Sequence, residues 1–307
     1  MILKMSQKDK RSAKRYANQG RRKWSKWSNQ QRKSRRELGQ NFLKDKRVAR
    51  QIAAQTGVGK DDFVVEFGPG GGMLTGQLAK KARKVMAVEY DPRWVSHLKA
   101  RFSQDENVRV IHQDALRVEL PCQPFRVVAS VPFYITTSVL HRLLDDPTTP
   151  LEVVHLLVQK QVALKHARST PTTLKTLNWS PWYRFAAGLE LPAEAFDPKP
   201  EVDACMMVVA KREPPLVDPR HRHLFRALVH LAFEGHGNAV GKVLRPIFTK
   251  TQLRRLARDN EFSLESSPSM LTVKQWASIF EFMVRMVPQE RWPSYKRHAK
   301  RERQRRC

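Results

Sequence analysis

Apolar positions along the chain follow two rhythms. In the first, short apolar runs recur at 63–67, 84–89, 108–113, 125–131 and 152–158. Runs of this length, rich in Val, predict strands, and those without polar alternation predict strands covered on both faces. The intervals at 73–82, 92–102, 137–144 and 160–167 carry helical patterns instead. Repeated strand–helix units predict an α/β fold with a doubly wound, mostly parallel sheet. Two later runs, 183–191 and 203–210, are separated by Pro192, Pro198 and Pro200 and predict an antiparallel hairpin that brings the sheet to seven strands. An amphipathic helix from about Asp45 to Thr56, ended by Gly57 and Gly59, precedes the first strand.

The second rhythm starts after Pro214 and Pro215, with helical candidates at 220–233, 239–246, 250–259 and 272–284. Leu224, Leu228 and Leu231 share one face of the first, and Trp276, Ile279, Phe280 and Met283 one face of the last. This predicts a smaller C-terminal helical domain behind a proline linker. Neither rhythm reaches the ends. Residues 1–36 are nearly all Lys, Arg, Ser, Asn and Gln, with Asp9 the only acid, and Arg291 to Cys307 returns to Lys and Arg. Such a segment as 1–36 is expected to be disordered when free. Trp24 and Trp27, set among its cations, can stack on unpaired bases or dock on the folded body.

Charge narrows the partner. The 57 Lys+Arg against 29 Asp+Glu give +28, with a pI near 10.6. Clustered cations are rewarded by phosphate contacts and counterion release, so a polyanion is the expected partner, with an acidic membrane surface as competitor. No stretch approaches the roughly 20 apolar residues needed to span a bilayer, and the mean hydropathy is −0.56. The N-terminal apolar segment is too short for a secretory signal. Cys122, Cys205 and Cys307 are scattered and odd in number, which argues for a cytoplasmic protein without a metal site. His221 and His223 open a basic helix and read as solvated rather than metal-binding.

In open α/β sheets ligands sit beyond the carboxyl ends of the strands. The first strand ends in Gly68, Gly70, Gly71 and Gly72, where the backbone must turn tightly and approach a ligand. Glu89 ends the second and suits ribose hydroxyls; Asp114-Ala115 follows the third, where a carboxylate can accept from an adenine amine. A nucleoside fits across these ends. A dinucleotide would need a G-x-G-x-x-G loop over a pyrophosphate. Here Glu66 stands two residues ahead of Gly68, repels phosphate and suits a cationic, amino-acid-bearing ligand. S-adenosyl-L-methionine, with its ammonium and sulfonium, fits that requirement.

The fourth strand ends in Ser130-Val-Pro-Phe133. An aromatic amine is a poor nucleophile because its lone pair is delocalised into the ring. Hydrogen bonds from the amine protons to a backbone carbonyl and a short polar side chain can localise that pair toward a methyl donor. Pro132 stiffens the turn presenting the acceptors, and Phe133 offers a stacking face for a base drawn from its stack. Positioning then drives an in-line displacement, without a general base or metal.

Four separated motifs carry a resemblance to the rRNA adenine N6-dimethyltransferases: Gly39-Gln-Asn-Phe-Leu43, Glu66-Phe-Gly-Pro-Gly-Gly-Gly72, Asp114-Ala115 after Glu89, and Phe196-Asp-Pro-Lys-Pro-Glu-Val-Asp203. That family comprises the erythromycin-resistance (Erm) enzymes of the large subunit and the dimethyladenosine transferases of the small subunit. The resemblance implies a Rossmann-like methyltransferase domain at 37–212, a helical RNA-binding domain at 213–286, and basic tails at 1–36 and 287–307. It implies that Gln40, Asn41 and Leu43 close over the methionine end of the cofactor and that Gly68 and Gly70 lie under it. Glu89 is then the ribose ligand, Asp114 with Ala115 the adenine site, and Ser130 to Phe133 the catalytic motif, with Phe196 a second aromatic at the target base. The family's first motif position is usually Asn; Ser130 reaches less far. The tails and the run from Thr176 to Tyr183 ahead of Leu191 to Phe196 look more like the Erm branch. The expected function is N6-methylation, once or twice, of a 23S rRNA adenine by a monomer, giving macrolide, lincosamide and streptogramin B resistance. The alternatives are a 16S dimethyladenosine transferase of ribosome biogenesis and a non-catalytic RNA-binding factor.

Overall fold

A computed structural model describes residues 42–170, 172–234 and 239–293. The N-terminal tail, with Trp24 and Trp27, and Gln40 and Asn41 lie outside the described residues, as does the C-terminal tail from 294; its first residues, 287–293, are described, with Val287 buried in the larger core and Trp292 donating to its carbonyl at 2.9 Å.

The chain opens with a two-residue strand β1 (Phe42–Leu43) and helix α1 (Lys46–Gln55), whose start Asp45 caps by accepting from Arg47 N at 2.7 Å. The βα units follow: β2 (Phe63–Phe67), α2 (Thr75–Leu78), β3 (Lys84–Glu89), α3 (Pro92–Arg101), β4 (Val108–His112), β5 (Phe125–Ala129), α4 (Thr136–Leu144), β6 (Leu151–Gln159) and α5 (Lys160–Ala167). A short α6 (Leu174–Leu177) leads to β7 (Tyr183–Leu191), β8 (Phe196–Asp197) and β9 (Ala204–Lys211). The last part is helical: α7 (Arg222–Glu234), α8 (Val240–Val243), α9 (Lys250–Asp259) and α10 (Val273–Met286).

The seven-stranded sheet runs β4-β3-β2-β5-β6-β9-β7. Strands β2 to β6 pair in parallel, and β9 pairs antiparallel with both β6 and β7. The late hairpin is therefore present, with its second strand inserted between β6 and the first. Side-chain alternation divides two cores. Phe63, Val65 and Phe67 of β2 and Val154, Leu156 and Val158 of β6 face the larger; Val64 and Leu157 face the smaller, beneath α1.

The helical part is not held off by the proline linker. Phe225, Leu228, Trp276, Ile279 and Met283 belong to the same buried cluster as the inner faces of β5, β6 and β9. The run from Thr176 to Tyr183 is the brace between them. Trp179 donates to Asp145 Oδ1 at 2.9 Å, and buried Arg226 donates to Asp145 O at 2.8 Å while lying over the Trp182 ring. Burial alone would raise the Asp145 pKa, but His141, Trp179 and Arg226 together hold it below the ordinary value.

Two helices are shorter than their patterns. The 73–82 interval yields only Thr75–Leu78, because the glycine loop still turns through residue 74. The 239–246 interval yields Val240–Val243, since Pro246 disfavours helix at the residue before it.

Candidate active site

The strand order reverses between β2 and β5, and a cavity of about 720 Å³ opens beyond their carboxyl ends. Its size suits a small-molecule site. The lining brings together Leu43, Glu66, Gly68, Gly70, Glu89, Asp114, Ala115, Ser130 and Pro132, all singled out from the sequence.

The glycine loop is shaped by two close approaches. Gly68 has φ +72°, and a Cβ there would sit 2.7 Å from the Ser130 carbonyl oxygen. Gly70 has φ +52°, with the Phe42 ring against the space a Cβ would take. A side chain at either position meets both backbone strain and a neighbour that blocks it. The Ser130 N–H donates to Phe67 O at 3.1 Å, so the loop and the fourth strand end are packed as one unit.

Two carboxylates face the cavity in different states. Glu89 accepts from Gly70 N at 3.1 Å through Oε2, and from Tyr90 N and Asp91 N at 2.9 Å through Oε1. A carboxylate has about four acceptor sites, so the three backbone donors leave room for one more hydroxyl. Burial raises the Glu89 pKa, and these donors oppose the rise. Glu66, 1% exposed, has an Oε2 without a hydrogen-bond partner. Burial pushes its pKa up to about 8; Thr75 beside it offsets part of this and Glu89 adds to it. An orphaned, buried acceptor on the wall of a cavity is the feature a cationic ligand group would satisfy.

Asp114 Oδ1 accepts from Leu116 N at 2.9 Å and fixes the turn after β4. Asp91 does the same at the start of α3, accepting from Arg93 N at 2.9 Å. Pro132 begins a single 3₁₀ turn (Phe133–Ile135), and its carbonyl accepts from Ile135 N at 3.1 Å, leaving one lone pair.

The aromatic face differs from expectation. Phe133 is half-buried against the smaller core and is not in the cavity lining; its neighbour Tyr134 lines the cavity and is 73% exposed. Phe196, 1% exposed, is likewise absent from the lining: it pairs with Leu43 across β1 and β8 and packs inside. Tyr90, 75% exposed, and Trp94, which packs on Phe42 at 5.2 Å between ring centroids, also line the cavity. Neither Tyr90 nor Trp94 belongs to a motif that the sequence singles out; each reaches the cavity from the segment after β3.

Comparison with known proteins points in one direction. A family model described as ribosomal RNA adenine dimethylase matches residues 31–284. The rRNA adenine N-6-methyltransferase of Bacillus licheniformis is 31% identical over 83% of this chain and 89% of its own. Mycinamicin-resistance protein MyrB of Micromonospora griseorubida is 35% identical over 80% and 78%. Ribosomal RNA small subunit methyltransferase A of Ligilactobacillus salivarius is 31% identical over 82% and 90%. The crystal structure of the 23S rRNA methyltransferase ErmE superposes with a TM-score of 0.72 at 26% identity, covering 80% of this chain and 100% of that one.

Proposed function

The chain belongs to the ribosomal RNA adenine dimethylase family of S-adenosylmethionine-dependent rRNA adenine N6-methyltransferases, and from that premise we propose that its target is a 23S rRNA adenine whose methylation gives resistance to macrolide, lincosamide and streptogramin B drugs. The relationship to MyrB, a drug-resistance protein 35% identical over 80% of this chain, carries the choice of branch. The chain then works as a monomer on cytoplasmic ribosomes.

The cofactor supplies a methyl group on a positively charged sulfur. On this reading Glu66 takes up the cationic amino-acid end, and Glu89 gives its remaining acceptor site to a ribose hydroxyl. Asp114 accepts from the adenine amine beside Ala115. Leu43 and Phe42 form the wall above the glycine loop. Ser130 Oγ and the free lone pair of the Pro132 carbonyl accept from the target amine and turn its lone pair toward the methyl group. When bound, the cofactor would supply its methyl group to that nitrogen with the sulfur as leaving group, and one N6 proton would pass to water. Tyr134 at the rim, rather than Phe133 or Phe196 as they stand, offers the exposed ring on which an extruded adenine can stack.

The test is mass mapping of rRNA from cells with and without the chain. A methyl added to a large-subunit adenine supports the proposal. Methylation confined to a pair of small-subunit adenines would instead establish the second reading, which the 31% identity to the small-subunit enzyme keeps specific.

A further inference from the structure

The glycine loop ends in a buried hydroxyl, that of Thr75. This residue opens α2, is fully buried and is absent from the cavity lining. It therefore does not touch what the cavity holds. Its Oγ1 has no hydrogen-bond partner among the described residues. Leaving a buried hydroxyl unpaired is costly, and a valine of the same shape would avoid the cost.

A threonine hydroxyl in a helical turn ordinarily bonds back to the carbonyl three or four residues earlier. For Thr75 these are Gly72 O, which accepts from Gly76 N at 3.1 Å, and Gly71 O, which accepts from Arg101 Nη1. Both local acceptors are already engaged. On the other side, the Thr75 N–H and hydroxyl lie beside the Glu66 carboxyl, whose Oε2 is itself buried and unpartnered. Two orphaned atoms thus sit together at the back of the cavity wall. An ionised carboxylate only accepts, and a hydroxyl can donate to it, so the two satisfy each other once Glu66 carries its charge.

We propose that Thr75 is a positioning residue for the cationic end of the cofactor: its hydroxyl donates to the Glu66 carboxylate, fixing that side chain and stabilising the ionised form that the cation requires. Arg101 contributes by occupying the Gly71 carbonyl, which keeps the hydroxyl from a local partner. The inference rests on the reading of Glu66 as the seat of the amino-acid end.

The test uses the full chain and S-adenosylhomocysteine, which keeps the amino-acid end and binds without turnover. Thr75→Val preserves shape and removes the donor; Thr75→Ser keeps the donor. The charged groups on the same cavity, Glu89, Asp91, Arg93 and Asp114, are unchanged in both. A hydrogen bond to the charged form is worth about one pH unit in the midpoint of Glu66 ionisation. By calorimetry, Thr75→Val should therefore bind roughly tenfold more weakly at pH 6 and 7, with the deficit narrowing to about twofold at pH 9. Thr75→Ser should follow the wild type. A purely structural role would give a loss that does not vary with pH. A second measurement needs no ligand. Because Glu66 then keeps its proton to higher pH in the folded state, the thermal midpoint of Thr75→Val should fall behind the wild type by about 2 to 4 °C more at pH 9 than at pH 7. In a Glu66→Gln background that extra gap should vanish. If Glu66→Gln binds S-adenosylhomocysteine as the wild type does, with the same pH profile, the premise and the proposal fall together. If Glu66→Gln changes the profile while Thr75→Val and Thr75→Ser behave alike, the proposal alone is overturned.

Discussion

Glu66→Gln removes a buried charge site while keeping shape, and its effects can be worked from the structure. The carboxyl has a pKa of about 8 in the folded protein against an ordinary 4.5. Between those values the native state holds a proton that the unfolded chain has lost, so stability falls as pH rises through that window. The wild type should therefore lose ground to the Gln variant, which cannot titrate. At roughly 1.4 kcal/mol per unit, the gap should widen by roughly 3 kcal/mol between pH 5 and pH 7. For a chain of this size that is on the order of 6 to 12 °C in thermal midpoint without cofactor. Cofactor binding should move the opposite way. If the cation needs the ionised carboxylate, the competent fraction rises from about 0.01 at pH 6 to about 0.5 at pH 8. The ratio of wild-type to Gln-variant affinity should then grow roughly 50-fold across that range, measured by calorimetry. The comparison with Gln cancels the titration of the ligand itself. A stability gap and an affinity ratio both flat with pH would refute the reasoning.

Gly68→Ala should cost roughly 2 kcal/mol or more and abolish cofactor binding in calorimetry, because φ +72° and a backbone oxygen 2.7 Å from the new Cβ leave it no space. Tyr134→Ala should leave cofactor affinity unchanged and lower kcat/KM for rRNA roughly tenfold or more, at ~1–3 kcal/mol per stacked base, with Tyr134→Phe restoring it. Ser130→Ala should lower kcat without raising the cofactor Kd; unchanged methylation of an rRNA transcript would show that its hydroxyl plays no part. Arg226→Leu, at a residue that does not line the cavity, should lower stability in thermal unfolding by roughly 2 kcal/mol, because the Asp145 carbonyl loses its charged donor.

Much of the fold was legible because short apolar runs bounded by turn residues write a simple strand signal. The spans 63–67, 84–89 and 183–191 coincide with β2, β3 and β7. The insertion of β9 between β6 and β7 was not legible, since pairing order depends on contacts far apart in sequence. Nor were β1 and β8, two residues each, too short for any periodicity. At the site, glycine, acid and strand-end positions could be read because each is fixed by local backbone need. The aromatic face could not. Phe133 and Tyr134 are adjacent and alike in composition, and only the 3₁₀ turn after Pro132 decides which ring faces outward. Phe196 carried a motif, but its pairing with Leu43 turns it inward.

That pairing has a consequence for the growing chain. Phe42 and Leu43 wall the cavity from the N-terminal side, yet their strand partners are Asp197 and Phe196. During synthesis the wall residues emerge first and must wait about 150 residues for their partner; at roughly 5–20 residues per second that is roughly 8 to 30 s. The cofactor cavity therefore cannot be complete on a nascent chain until β8 has left the ribosome, even though its glycine loop and acidic ligands were made long before.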